Sequence, residues 1–178
     1  MKAPPNRKPL ISAGMVLGIG MGGFVDGIVF HQLLQWHNMM SAKFPVQGVD
    51  DRQLAVNLEV NMFWDGLFHA FTWLMTAIGI VLLWRAVRRP DASLSTRTLV
   101  GAAAVGWGAF NLVEGIIDHH ILHIHHVTEA HDHLVWDLAF LASGVVLVLA
   151  GAALIHSAGE QRGTTGPLGG SGYGTHSG

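Results

Sequence analysis

Four apolar stretches, each long enough to supply the roughly 20 helical residues that cross a bilayer core, constrain this 178-residue chain more than any other feature. Inside lipid, backbone N–H and C=O groups must find partners within the chain, so such stretches fold as helices. Charged residues make up only 12% of the sequence. The expected fold is all-α, an integral membrane four-helix bundle. Its helices are expected at about 10–40, 54–86, 95–126 and 130–156, forming one transmembrane domain over 1–156. Residues 157–178, rich in Gly and Ser, read as a flexible cytoplasmic tail.

The cations set the expected orientation. Lys2, Arg7 and Lys8 precede the first helix, Arg85, Arg88, Arg89 and Arg97 separate the second from the third, and Arg162 follows the fourth. By the positive-inside tendency both termini are cytoplasmic in a bacterial inner membrane. The connections at 41–53 and 126–130 then face the periplasmic or extracellular side, and most of the histidines lie in or close beside them. The basic start is followed by a long apolar run without a small-residue cleavage site, so the first helix is expected to be retained. With no cysteine, disulfides and thiolate metal ligands are excluded. Basic and aromatic residues do not interleave, so nucleic-acid binding has no footing. The expected partner is the lipid bilayer, with a respiratory membrane complex or a second copy of the chain as further candidates.

The polar residues repeat. Asp26-Gly27-Ile28-Val29-Phe30-His31 and the residues to His37 return as Glu114-Gly115-Ile116-Ile117-Asp118-His119 and the residues to His125, at a shift of 88. Asn57, Asn61, Trp64 and Asp65 correspond to Glu129, His133, Trp136 and Asp137 at a shift of 72. Each unit contains two crossings, so the chain is two tandem hairpins of the same topology, related by a pseudo-twofold axis along the membrane normal. Gly14, Gly18 and Gly22 on helix one and Gly101, Gly108 and Gly115 on helix three are expected to let those two helices approach closely.

Ionisable groups inside a membrane are costly, and helical spacing sorts these into inward stripes. The i, i+4 pair His119 and His123 can present two imidazoles to one metal ion. His133 with Glu129 or Asp137 on the neighbouring helix would complete the shell. His31, Asp65 and His69 contribute from the first half. Asp26, Glu114, Asn61, Gln35 and Asp118 are expected to orient ligands or carry protons. Nitrogen and carboxylate ligands suit copper, iron or zinc, and one or two ions fit the number of groups. His120, His125 and His126 stay open between ligands and hydrated helix ends.

Taken together, the run from Gly22 to His37, Asp65-Gly66-Leu67-Phe68-His69 and the run Glu114 to His126 resemble an uncharacterised family of bacterial four-helix membrane proteins. The likeness covers about residues 10–156 and implies the topology without a mechanism. The histidine runs are also similar to the clusters of membrane di-iron desaturases and hydroxylases, which spread several such boxes over a longer chain on the cytosolic side. No catalytic residue is carried over from them.

The leading functional reading is a membrane metalloprotein for redox chemistry, as a metal-dependent oxidoreductase, or for metal handling. One alternative is a b-type haem electron carrier with His31 and His119, or His69 and His133, as axial ligands. Another is a proton or metal transporter or pH sensor using Asp26, Glu114 and His69 as a relay.

Overall fold

A computed structural model describes residues 6–129 and 132–164. Among the described residues every named element is helical, and four helical runs are long and apolar enough to cross a membrane. Helix α1 (Lys8–Val25) passes directly into a π-helical segment, Asp26–Leu33. Helix α2 (Asp51–Val87) starts under the Asp50 side chain, which accepts from the amides of Arg52 and Gln53. Helix α3 (Thr96–Glu114), capped by Ser95, passes into a second π-helical segment, Gly115–Ile121. Helix α4 is His133–Thr164. The four-helix membrane architecture is the one the apolar stretches require. Helix α4 runs through the first part of the segment expected to be a tail, and the remainder, 165–178, lies outside the described residues.

Helices α1 and α3 pack against each other in the centre, with α2 on α1 and α4 on α3. The central contact is made by repeat-related glycines. A Cβ at Gly18 would lie 2.0 Å from the Ala103 carbonyl oxygen, and one at Gly106 2.0 Å from that of Met15. Gly14 and Gly22 also face α3 as expected, but Gly101, Gly108 and Gly115 face α4, against Gly151, Gly144 and Leu141. The spacing shared by these glycines is therefore split between two interfaces, and Gly106 is the α3 residue that completes the central one.

The first and third helical runs end at Leu33 and Ile121, short of the expected 40 and 126. Each run widens, turns and doubles back. The Leu34 and Leu122 amides both donate to carbonyls five residues earlier, at 2.8 Å, and the Trp36 and Ile124 amides reach six residues back, at 3.0 Å. Gln35 (φ 51°) and His123 (φ 46°) then take left-handed conformations at equivalent positions of the repeat. π-type turns of this kind gather at functional sites, and here they fold the segments after residues 35 and 123 back between the helix ends. A left-handed non-glycine residue carries about 1 kcal/mol or more of steric cost. Gln35→Gly and His123→Gly are accordingly expected to hold or raise thermal stability, whereas valine at either position lowers it by about 1–2 kcal/mol. Thermal unfolding in detergent tests this, and a valine variant as stable as the parent would contradict the turn geometry.

Candidate metal centre

The returning segments bring His37 and His125 under the bundle, onto the pseudo-twofold axis. There they meet His31 and His119, which come from the π-helical turns, and Asp26 and Glu114, one turn deeper. His31, His37, His119 and His125 are 2%, 3%, 1% and 0% exposed, so none is a hydrated helix end. The imidazoles of His37 and His125 stack in parallel, with ring centres 4.8 Å apart. His31 stands edge-on to His37 at 4.4 Å, and His119 edge-on to His125 at 4.9 Å. Ligand atoms of His31, His37 and His125 lie within 4.8 Å of one another, and so do those of Glu114, His119 and His125.

The hydrogen bonds around this cluster fix which ring nitrogen faces inward. His37 Nδ1 donates to the Val127 carbonyl at 2.9 Å, and His125 Nδ1 to the Met39 carbonyl at 3.1 Å. A carbonyl can only accept, so each Nε2 carries a free lone pair. Those Nε2 atoms have no hydrogen-bond partner, and neither do His31 Nε2, Asp26 Oδ2 or the two Glu114 carboxyl oxygens. His31 Nε2 is 3.1 Å from Asp26 Oδ2 and His125 Nε2 is 3.6 Å from Glu114 Oε1, close but not aligned for hydrogen bonding. Buried polar atoms of native proteins are almost always satisfied. Imidazole nitrogens and carboxylate oxygens of this kind are donor types that transition metals accept.

Two aspartates hold the scaffold. Asp65 accepts from His31 Nδ1 (2.9 Å), Asn38 Nδ2 (2.8 Å) and the Met39 amide (2.8 Å). Asp137 accepts from His126 Nδ1 (2.7 Å) and the Val127 amide (2.9 Å), with His119 Nδ1 at 3.1 Å. Met39 and Val127 are the residues whose carbonyls orient His125 and His37. Each half therefore positions an imidazole of the other.

His37 and His125 lie beyond the spanning segments, and burial, reinforced by neighbouring imidazoles, pushes both down to about 3. They are neutral at physiological pH, the form that binds metal. Because unfolded histidine takes up its proton near 6.5, their contribution to stability is complete above that pH and is lost as pH falls toward 3. In metal-free protein the two rings are expected to keep neutral-imidazole ¹⁵N shifts at pH 5, and protonation near pH 6.5 would contradict their isolation from water.

The other expected site residues are distributed differently. His119 and His123 do not form an i, i+4 pair, because the helix ends between them. His123 is exposed, its ring 5.9 Å from His126. His133, with His126 and Asp137, belongs to a separate cluster. His69 donates to the Asp65 carbonyl at 2.7 Å and lies against Gly27, apart from the central imidazoles. Glu129 accepts from Ser41 Oγ at 2.6 Å, and Asn61 holds the Met40 amide and the Phe44 carbonyl. Gln35 serves the turn through its backbone, and Asp118 lines an apolar cleft. Helical periodicity left His125 open and did not single out His37, although both lie in the central cluster. The signal for them was identity between the two repeats, at residues an extended helix would have placed at its wet end.

A family model described as "Predicted membrane protein (DUF2243)" matches residues 13–158. No curated protein and no solved structure matches the chain.

Proposed function

The chain belongs to the DUF2243 family of predicted membrane proteins, and from that premise we propose that it is an integral membrane metalloprotein with a transition-metal centre on its pseudo-twofold axis. The carrying observation is the convergence of the buried Nε2 atoms of His37 and His125, which have no hydrogen-bond partner, with His31 Nε2, which faces Asp26 Oδ2 at 3.1 Å; all three rings are held by backbone or aspartate acceptors on their Nδ1 sides. His119 and the carboxylates of Asp26 and Glu114 complete the set. Copper(II), iron and zinc all suit these donors. Imidazoles packed ring against ring leave no slot for a macrocycle, which favours a bare ion over haem. Beneath the acids, α1 and α3 touch through Gly18 and Gly106, which favours a one-sided centre over a transmembrane relay. The arginine-rich connection lies at the opposite end, so the centre belongs to the periplasmic or extracellular half.

Redox chemistry on a membrane-soluble substrate is the first use of such a centre. An apolar cleft of about 550 Å³ between α2 and α3, lined by Trp64, Phe68, Phe71 and Phe110, ends on Glu114. A related cleft of about 410 Å³ on the other side ends on Asp26. Metal handling is the second use, favoured by a polar crevice of about 240 Å³ that reaches His37 past Gln35, Asn38, Ser41 and Glu129.

Elemental analysis of protein purified without a histidine tag or chelator tests the centre. At least one ion of iron, copper or zinc per chain is expected, with about one fewer in His37→Ala/His125→Ala. Protein that stays metal-free after incubation with each ion would overturn the reading.

A further inference from the structure

The two halves differ at the loop end. In the first half, Asp65 is met by Asn38, and the repeat position before it on α2 is Asn61. In the second half both asparagines are replaced by histidine, His126 and His133. We propose that His126, His133 and Asp137 form a second transition-metal site, present in one half only and more open than the central one. It extends the metal reading above and shares its premise that these nitrogen-rich clusters take up an ion.

Three donor groups converge here, their ligand atoms all within 4.8 Å of one another. Asp137 Oδ2 lies 2.7 Å from His126 Nδ1 and 3.5 Å from His133 Nδ1. The His126 contact is a hydrogen bond in this structure; an ion bound here would take the place of its proton, and bonds of 2.0–2.1 Å in tetrahedral geometry would set these donors roughly 3.3 Å apart. The rings of His126 and His133 stack with centres 4.0 Å apart. His133 Nδ1 is buried without a hydrogen-bond partner, although its side chain is 43% exposed. The ring therefore reaches from outside while its donor atom faces the aspartate. Among the described residues His123, exposed and with its ring 5.9 Å from that of His126, is a further imidazole at the mouth of the site.

Asp137 gives the site its role. Its Oδ2 faces the outer pair, while its Oδ1 faces His119 of the central cluster at 3.1 Å. One carboxylate thus borders both clusters, and it would give an ion held by His126 and His133 a shared contact with the centre through His119. The asymmetry follows: a loading site needs one open side, and Asn38 and Asn61 close the other. Amides of neutral side chains are poor transition-metal ligands, which leaves the first half with a hydrogen-bonded lock at the same place.

The test uses the first half as its template. His126→Asn/His133→Asn installs the side chains that the repeat already accommodates at those positions, so folding is expected to persist. Full-length, tag-free protein in detergent is titrated with zinc and with cobalt(II), and bound metal per chain is measured with the cobalt spectrum. Parent protein is expected to bind two ions, the Asn/Asn variant one, and His37→Ala/His125→Ala one with the outer spectrum retained. The Asn/Asn variant is also expected to fill its centre at least tenfold more slowly. An Asn/Asn variant with the stoichiometry, spectrum and loading rate of the parent overturns the outer site alone. A parent protein that binds neither ion overturns the central reading as well.

Discussion

Gly18→Val and Gly106→Val are each expected to remove most of the folded protein from detergent extracts. The cause is backbone, not side chain. At each position the added Cβ would sit 2.0 Å from a carbonyl oxygen of the opposing central helix, and two helix backbones cannot give way as a rotamer does. Overpacking a core commonly costs 1–3 kcal/mol, and this contact cannot be relieved without separating α1 from α3. A loss of roughly 3 kcal/mol or more per substitution is expected, with no recoverable bundle in the double variant. Gly66 provides the control, since nothing lies within 4 Å of a Cβ placed there. Gly66→Ala is expected to keep or raise stability by about 0.5–1 kcal/mol through helix propensity. Unfolding temperature and size-exclusion profile read both cases, and a Gly106→Val variant as monodisperse and stable as Gly66→Ala would refute the central packing.

The spans, the tandem hairpins and the depth of the acids were legible because apolar length and repetition are properties of the sequence itself. Asp26, His31, Glu114 and His119 meet where repeat and helical phase both put them. The return turns were not legible. Their left-handed residues are Gln35 and His123 rather than glycine, so nothing local marks the reversal, and a 3.6-residue period carried past the turn joined His119 to His123 instead of to His125. The better guide was which residues are identical in both halves. His31 and His119, His37 and His125, and Asp65 and Asp137 are identical pairs and build the central cluster and its supports. His133, opposite Asn61, belongs outside it, and so does His69, opposite Leu141.

Removing either buried aspartate is expected to damage the centre from the opposite half. Asp65→Ala strips acceptors from His31, Asn38 and the Met39 amide, and Asp137→Ala strips them from His126 and the Val127 amide. Leaving such partners buried and unpaired costs about 3–5 kcal/mol, roughly 10 °C in unfolding temperature for a chain of this size. The consequence for metal travels across the axis. Without Asp65 the Met39 segment is released, and its carbonyl no longer fixes the tautomer and tilt of His125. Without Asp137 the Val127 carbonyl no longer fixes His37. Loss of such supporting contacts typically weakens metal affinity 10–100-fold, and that range is expected for the central ion in each variant. Asp65→Asn separates positioning from bulk destabilisation, because the amide keeps one acceptor for the Met39 N–H while presenting a donor to one of its remaining partners. It is expected to recover much of the unfolding temperature and only part of the affinity. An Asp65→Ala protein that retains parental affinity for the central ion, with His125 still held in one tautomer, would break the proposed cross-coupling between the halves.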